Sequence, residues 1–129
     1  MDSHEQDDLD LALKELEGYN KTSARVIRMQ LETLEEEAVT DVRRILSAAI
    51  EQNLADCRAI NTSKSASCNS IANNLEAALS FEEYEIELGL VKLPLGVKSS
   101  LECISSALRM ASRTNFRKEV SGRNLNQNE

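Results

Sequence analysis

Cys57 and Cys68 are the residues whose types and spacing most directly predict a chemical bond in this chain. They flank a clear turn signal at residues 61–65, and each cysteine lies about one helical turn from it. Packed antiparallel helices near a tight turn bring two Cα atoms to about 5.5 Å, the separation that a disulfide needs. The spacing therefore predicts a Cys57–Cys68 disulfide that closes a helical hairpin, with Cys103 left as a free thiol or a link between two chains.

The same cysteines also fit a second interpretation. In a reducing compartment, a free cysteine behaves as a small buried apolar residue. Cys57 and Cys103 both lie on or near predicted apolar helix faces. Two settings therefore stay open, an oxidising compartment with a disulfide and a reducing compartment with three thiols.

Catalytic and metal-binding chemistry has little support in the sequence. The only histidine, His4, lies in an acidic segment where no nucleophile is placed to use it. The glutamates at 35–37 cannot act as a carboxylate pair, because consecutive helical residues point about 100° apart. A structural zinc site usually takes four Cys or His ligands, and this chain has no C-x-x-C pair. We expect no enzyme, no metal and no cofactor.

Two sequons mark possible glycosylation sites. Asn20 is followed by Lys21 and Thr22, and Asn61 is followed by Thr62 and Ser63. Both asparagines fall in predicted loops, where an attached glycan would be accessible. They favour secretion only slightly, since polar loops are rich in such triplets.

The most apolar connector in the chain runs from residue 88 to residue 97. One interpretation is that it crosses the end of a helical bundle and adds to the core, because monomers rarely expose large apolar patches. The other is that it docks another protein. The candidate partner-binding residues are then Leu88, Leu90, Val91, Leu93, Leu95 and Val97.

Helical periodicity dominates the elements that must position these residues. A capping box at 3–6 begins a short first helix that is predicted to end at Gly18. Apolar steps of three and four residues then predict one long helix from about 23 to 60. A third amphipathic segment covers 66–79 and is followed by a second capping box at Ser80.

The chain between Ser80 and Gly89 has two interpretations. The shift in apolar phase at Ser80 predicts a kink or a new short helix that ends at Gly89, and the alternation over 84–88 allows a strand instead. A last helix begins near Ser99. We predict an all-α compact bundle of four to five helices built around the long helix, with one domain over 1–113 and a polar, frayed tail over 114–129.

The net charge of the chain limits the kinds of molecule that it can bind. The chain of 129 residues has 22 acidic and 15 basic side chains and a formal charge of −7. This balance argues against nucleic acid, whose phosphates attract Lys and Arg. No stretch approaches the roughly 20 apolar residues of a membrane span. The C-terminal stretch is the basic exception, and we interpret it as favourable charge at a helix end and a solvated tail, with an anionic partner as the alternative: Arg109, Arg113, Arg117, Lys118 and Arg123.

The N-terminus does not decide the compartment. Residues 1–5 are acidic rather than a basic segment followed by an apolar core, so they do not form a signal peptide as written. The protein is either cytoplasmic or a mature secreted form that begins with an added Met1. A polar, acidic start fits both.

The arrangement of helices and cysteines resembles a family of small all-helical salivary proteins of blood-feeding insects, the anophensin and albicin group of mosquito saliva. The features that carry the resemblance are a short acidic helix over 3–16, a long helix over 27–57 that ends at a cysteine, and Cys68 at the start of its return partner. The resemblance implies a secreted antagonist of host defence that acts by binding, on the complement alternative pathway or the contact system.

Two functional hypotheses follow. The first is a secreted, non-enzymatic helical protein that binds and inhibits a host protein complex. The second is an intracellular helical adaptor or assembly subunit, in which the broad apolar face of residues 27–57 pairs with another helix. Both take a protein partner, and the sequence leaves a monomer and a homodimer equally open.

Overall fold

The computed structural model contains five α-helices in its described backbone. It describes the backbone of residues 3–90 and 96–128 and the side chains of residues 8–90 and 96–114. The helices are α1 (Ser3–Tyr19), α2 (Lys21–Leu31), α3 (Val39–Ile60), α4 (Cys68–Glu87) and α5 (Val97–Asn128), and two 3-10 turns lie at Glu36–Ala38 and Lys64–Ala66. The described backbone contains no strand, so the predicted all-α bundle of four to five helices is confirmed.

The single long helix predicted over about 23–60 is wrong in one respect, because it is divided into α2 and α3. Glu35 has an extended backbone, with φ −73° and ψ 145°. The Thr33 hydroxyl donates to the Gln30 carbonyl at 2.8 Å, a local bond that competes with helix continuation. Leu34 and Ala38 still pack inward across the break. The apolar pattern therefore runs on without interruption although the helix does not.

α4 is one helix through Ser80, so the predicted new helix there is wrong and so is the strand alternative over 84–88, whereas the alternative of a kink stays a prediction. α4 ends at Glu87, two residues before the predicted Gly89, which follows the C-cap Leu88 and has φ +76°. Two bonds close the end: the Leu90 N–H donates to the Glu85 carbonyl at 3.0 Å, and the Gly89 N–H donates to the Ile86 carbonyl at 2.9 Å. This is the Schellman arrangement that glycine permits at a helix end.

The helices close into a ring around an aliphatic core. α1 packs on α2 and α3, α4 packs on α3 and α5, and α5 returns to α2. All the largest fully buried side chains are Leu or Ile, with at least one from each helix: Leu9, Leu13, Leu16, Ile27, Leu46, Ile50, Leu54, Ile71, Leu75, Leu101, Ile104 and Leu108.

Asparagine side chains hold one end of the ring together. Asn20 is the only residue between α1 and α2, and its Oδ1 accepts the Ser23 N–H at 3.1 Å as an N-cap. Its Nδ2 donates to the Ala66 carbonyl at 3.0 Å. Asn53 Nδ2 donates to the adjacent Ser65 carbonyl at 2.7 Å. Two amides, one from the α1–α2 junction and one from α3, therefore bind consecutive carbonyls of the α3–α4 connector.

An ion pair ties α3 to α1 on the outside of the bundle. The Arg58 guanidinium donates to both carboxylate oxygens of Glu15 at 2.7 Å and to Glu51 at 2.8 Å. The hydrogen bonds from Arg58 lower the pKa of Glu15. Exposed ion pairs of this kind add little to the free energy of unfolding, so their effect is best seen in how that free energy depends on pH.

Replacing Asn20 with Ala is expected to lower the free energy of unfolding by about 2 kcal/mol, since it removes the cap of α2 and leaves the Ala66 carbonyl without this donor. Chemical denaturation measures the change. Asn61→Gly is the matched control, because Asn61 is exposed and already has φ +49°, which glycine adopts without strain. Equal losses in both variants would contradict the role assigned to Asn20.

Acid is expected to weaken the wild type more than Glu15→Gln. The pKa of Glu15 is lowered in the folded state, so its stabilisation is complete at neutral pH and is lost as the pH falls through that lowered pKa. Unfolding free energies measured between about pH 5 and about pH 3 should therefore fall less steeply in the variant. Glu36→Gln should keep the wild-type slope, since the exposed Glu36 side chain bonds to no described residue. Parallel slopes in the wild type and Glu15→Gln would count against the pair.

Candidate protein-binding surface

Five large apolar side chains are exposed at the C-terminal end of α4 and just after it, and four of them are exposed by more than half. Phe81, Tyr84 and Leu88 are spaced three and four residues apart, so they lie along one face of the helix. Their exposed fractions are 62%, 59% and 55%. Leu90, which follows the helix directly, is 67% exposed. We call these four residues the α4 apolar surface.

Contacts on the opposite side of α4 fix this face toward solvent. Leu75 and Leu79 are buried in the core, and the Glu82 side chain is almost fully covered. Arg44 of α3 donates to Glu82 at 3.0 Å and also pairs with Asp41 at 3.5 Å. Burial works against the charged form of Arg44, but its bonds to Glu82 and Asp41 outweigh this and raise its pKa. The rotation of α4 is therefore set by apolar burial together with a charged hydrogen bond.

The surroundings of the α4 apolar surface are acidic. Glu83 pairs with Lys98 of α5 at 3.7 Å. Glu85 and Glu87 pair with no basic side chain among residues 8–90 and 96–114. The C-terminal end of a helix also carries partial negative charge on its last carbonyls. The surface is thus an apolar stripe within a negative field.

The structure separates the predicted partner-binding residues into three groups. Leu88 and Leu90 are exposed, as a docking role needs. Val97 is fully buried as the first residue of α5, so it is a core residue and its assignment to the docking surface is corrected. The remaining predicted residues, Val91, Leu93 and Leu95, lie outside the described part of the chain.

Sequence reasoning missed Phe81 and Tyr84. Their spacing with Leu88 does contain a helical signal, but the capping-box pattern at Ser80 assigned Phe81 to the start of a new helix. Once α4 is continuous, the three side chains fall on one face. The apolar surface therefore begins in the helix rather than in the connector after it.

The predicted Cys57–Cys68 disulfide is not present, because all three cysteines are free. Cys57 is buried beside the Ser65 backbone and Cys68 is buried beside the Asn20 side chain, so each thiol has its own contact. Burial raises the pKa of both thiols. Cys103 is exposed on α5, which corrects the expectation of a buried thiol there.

The two sequons have different surroundings. Asn20 uses its Nδ2, the atom to which a glycan would attach, to bind the Ala66 carbonyl. Asn61 is exposed and ends α3 in a left-handed conformation. Of the two, Asn61 is the asparagine whose amide faces solvent.

The basic C-terminal stretch is partly engaged within the bundle. Arg109 donates to Glu76 at 2.6 Å and to Asn73 at 2.7 Å. The hydrogen bond between Arg109 and Glu76 raises the pKa of Arg109 and lowers the pKa of Glu76. Arg113 is exposed. The side chains of Arg117, Lys118 and Arg123 lie outside the described residues.

The described part of the chain has neither a metal-binding group nor a membrane-spanning helix. Over residues 8–90 and 96–114, no group of three or more His, Cys, Asp or Glu side chains is placed to hold a metal ion. No described helix has the length and apolar character to cross a membrane.

Comparison with known proteins adds no family to this description. The chain matches no protein-family model, no curated protein and no solved structure. The class that the structure itself defines is an all-helical bundle with an exposed apolar helix end.

Alkylation without reductant, on protein from its natural source, is expected to label only Cys103 in the native state. Cys57 and Cys68 are buried with raised pKa values, so little of either thiol is the reactive thiolate. In denaturant the same treatment should add three labels, counted by intact mass and located by peptide mapping. A single label in denaturant, with a mapped Cys57–Cys68 link, would overturn the free-thiol assignment.

Proposed function

We propose that this chain is a non-enzymatic protein-binding subunit that acts through the α4 apolar surface. The observation that carries the proposal is that Phe81, Tyr84, Leu88 and Leu90 are each more than half exposed at one end of one helix. Exposed apolar patches with a polar rim mark interaction sites on soluble proteins.

The composition of the surface suits the centre of an interface. Aromatic side chains are enriched among the residues that dominate binding energy. Full burial of one such apolar side chain is worth about 1.5 to 3 kcal/mol before the costs of association. Phe81 and Tyr84 are therefore the residues whose loss should matter most, with Leu88 and Leu90 completing the contact.

The setting we propose is an intracellular assembly subunit that pairs through helices. Cys57 and Cys68 occupy buried positions as separate thiols, which suits a reducing compartment. A helical stripe such as Phe81, Tyr84 and Leu88 is the form in which one helix meets another.

A second setting is a secreted inhibitor of a host protein complex. The exposed Asn61 sequon supports it, as does the resemblance to the mosquito salivary proteins. In that setting the α4 apolar surface would bind the host target. The alkylation experiment separates the two compartments, because secretion would favour oxidised cysteines.

Photo-crosslinking from position 84 tests the proposal. A benzophenone amino acid in place of Tyr84, in the full chain expressed in its native cells, is expected to give one discrete adduct that mass spectrometry identifies. Phe81→Ser in the same chain should remove the adduct and change the free energy of unfolding by less than about 0.5 kcal/mol, because Phe81 is largely exposed.

The matched control places the same benzophenone at Met29, which is 59% exposed on α2. This position should give no discrete adduct. An identical pattern from both positions, or no adduct from position 84, would sink the proposal.

A further inference from the structure

We infer that the partner of the α4 apolar surface is a second copy of this chain, bound through the basic C-terminal half of α5. The inference rests on the proposed function and names the occupant of the surface.

The first support for the inference is charge. Glu85 and Glu87 favour a basic partner, and a chain of formal charge −7 nevertheless contains a segment where basic residues prevail over Glu119: Arg113, Arg117, Lys118 and Arg123.

The second support is the change in the apolar pattern along α5. Leu108 is fully buried, and among the side chains described up to Thr114, Ala111 is the last that packs against the core. α5 nevertheless continues to Asn128. The positions that continue the core phase, four and eight residues after Ala111, are the polar Asn115 and Glu119.

The apolar residues in the C-terminal half of α5 occupy different positions of the helical repeat from the core residues of α5. Phe116 and Val120 are spaced four residues apart, and their positions lie about a quarter of a turn from the core phase of α5. Arg113 and Arg117 neighbour them in the helical pattern. In sequence, this segment is an apolar pair flanked by positive charge, which is the complement of the α4 apolar surface.

The third support is the relative position of the two segments. Lys98 pairs with Glu83 and Arg109 pairs with Glu76, so α4 and α5 are antiparallel. The start of α5 lies beside the end of α4, and in this register α5 passes Cys68, the first residue of α4, soon after Thr114. The apolar surface and the basic segment are thus at opposite ends of the bundle.

A two-fold pair of antiparallel copies satisfies both segments at once. When two bundles lie side by side in opposite directions, the basic segment of each is next to the α4 apolar surface of the other. Such a contact is isologous and closed, so it gives a dimer rather than a filament.

Charge exchange between two variants of the full chain tests the dimer. Sedimentation and light scattering of the wild type should show a dimer whose dissociation constant rises at least about tenfold between low and high salt. E85K/E87K and R113E/R117E should each be monomeric, because like charges then meet at both contacts. Mixed in equal amounts, the two variants should form a one-to-one heterodimer.

E36K/E37K is the matched control, since it makes the same charge change at exposed glutamates of the 3-10 turn Glu36–Ala38 and should remain a dimer. Circular dichroism checks that every variant keeps the helical content of the wild type. A wild type that stays monomeric at low salt, or a mixture that does not form the heterodimer, would overturn the inference.

The photo-crosslinking result separates this failure from failure of the proposed function. A monomeric wild type with an adduct from position 84 to a different protein removes the second copy and leaves the binding surface. A monomeric wild type with no adduct from that position removes both.

Discussion

Aliphatic burial is the constraint on which the rest of this structure depends. The core contains no tryptophan and takes its largest side chains from Leu and Ile, so each helix must turn its aliphatic stripe fully inward to supply enough contact. For α4 this requirement places Leu75 and Leu79 inside. Because the helix continues past them without a break, Phe81 and Tyr84 are carried to the outer face. The exposed aromatic side chains follow from how the core is filled.

The sequence allowed the fold class to be predicted, because apolar residues recur every three or four positions in each predicted helical segment. It could not locate the break between α2 and α3. Both helices keep their apolar faces on the same core, so the pattern continues through Leu34 and Ala38 while the backbone turns at Glu35. The spacing of apolar residues shows which side of the chain is buried. When the backbone changes direction and the same side stays buried, this spacing does not change, so it cannot show the break.

The binding surface and the thiols show a second limit of local patterns. Leu88 and Leu90 could be found because they lie in an apolar run, whereas Phe81 and Tyr84 required the knowledge that α4 continues through Ser80. The disulfide prediction failed for a related reason. A turn between two cysteines does not fix where their side chains point, and here the connector is positioned by Asn20, far away in sequence.

The amide of Asn20 also makes the two ends of the bundle unequal in their tolerance of added residues. It joins the α1–α2 junction to the α3–α4 connector, so an insertion at either place would displace a hydrogen bond needed by the other. At the opposite end, the segment between α2 and α3 has no comparable amide bridge among the described residues. A peptide tag or a fused domain would therefore be accommodated best beside Glu32 and Thr33, both of which are exposed.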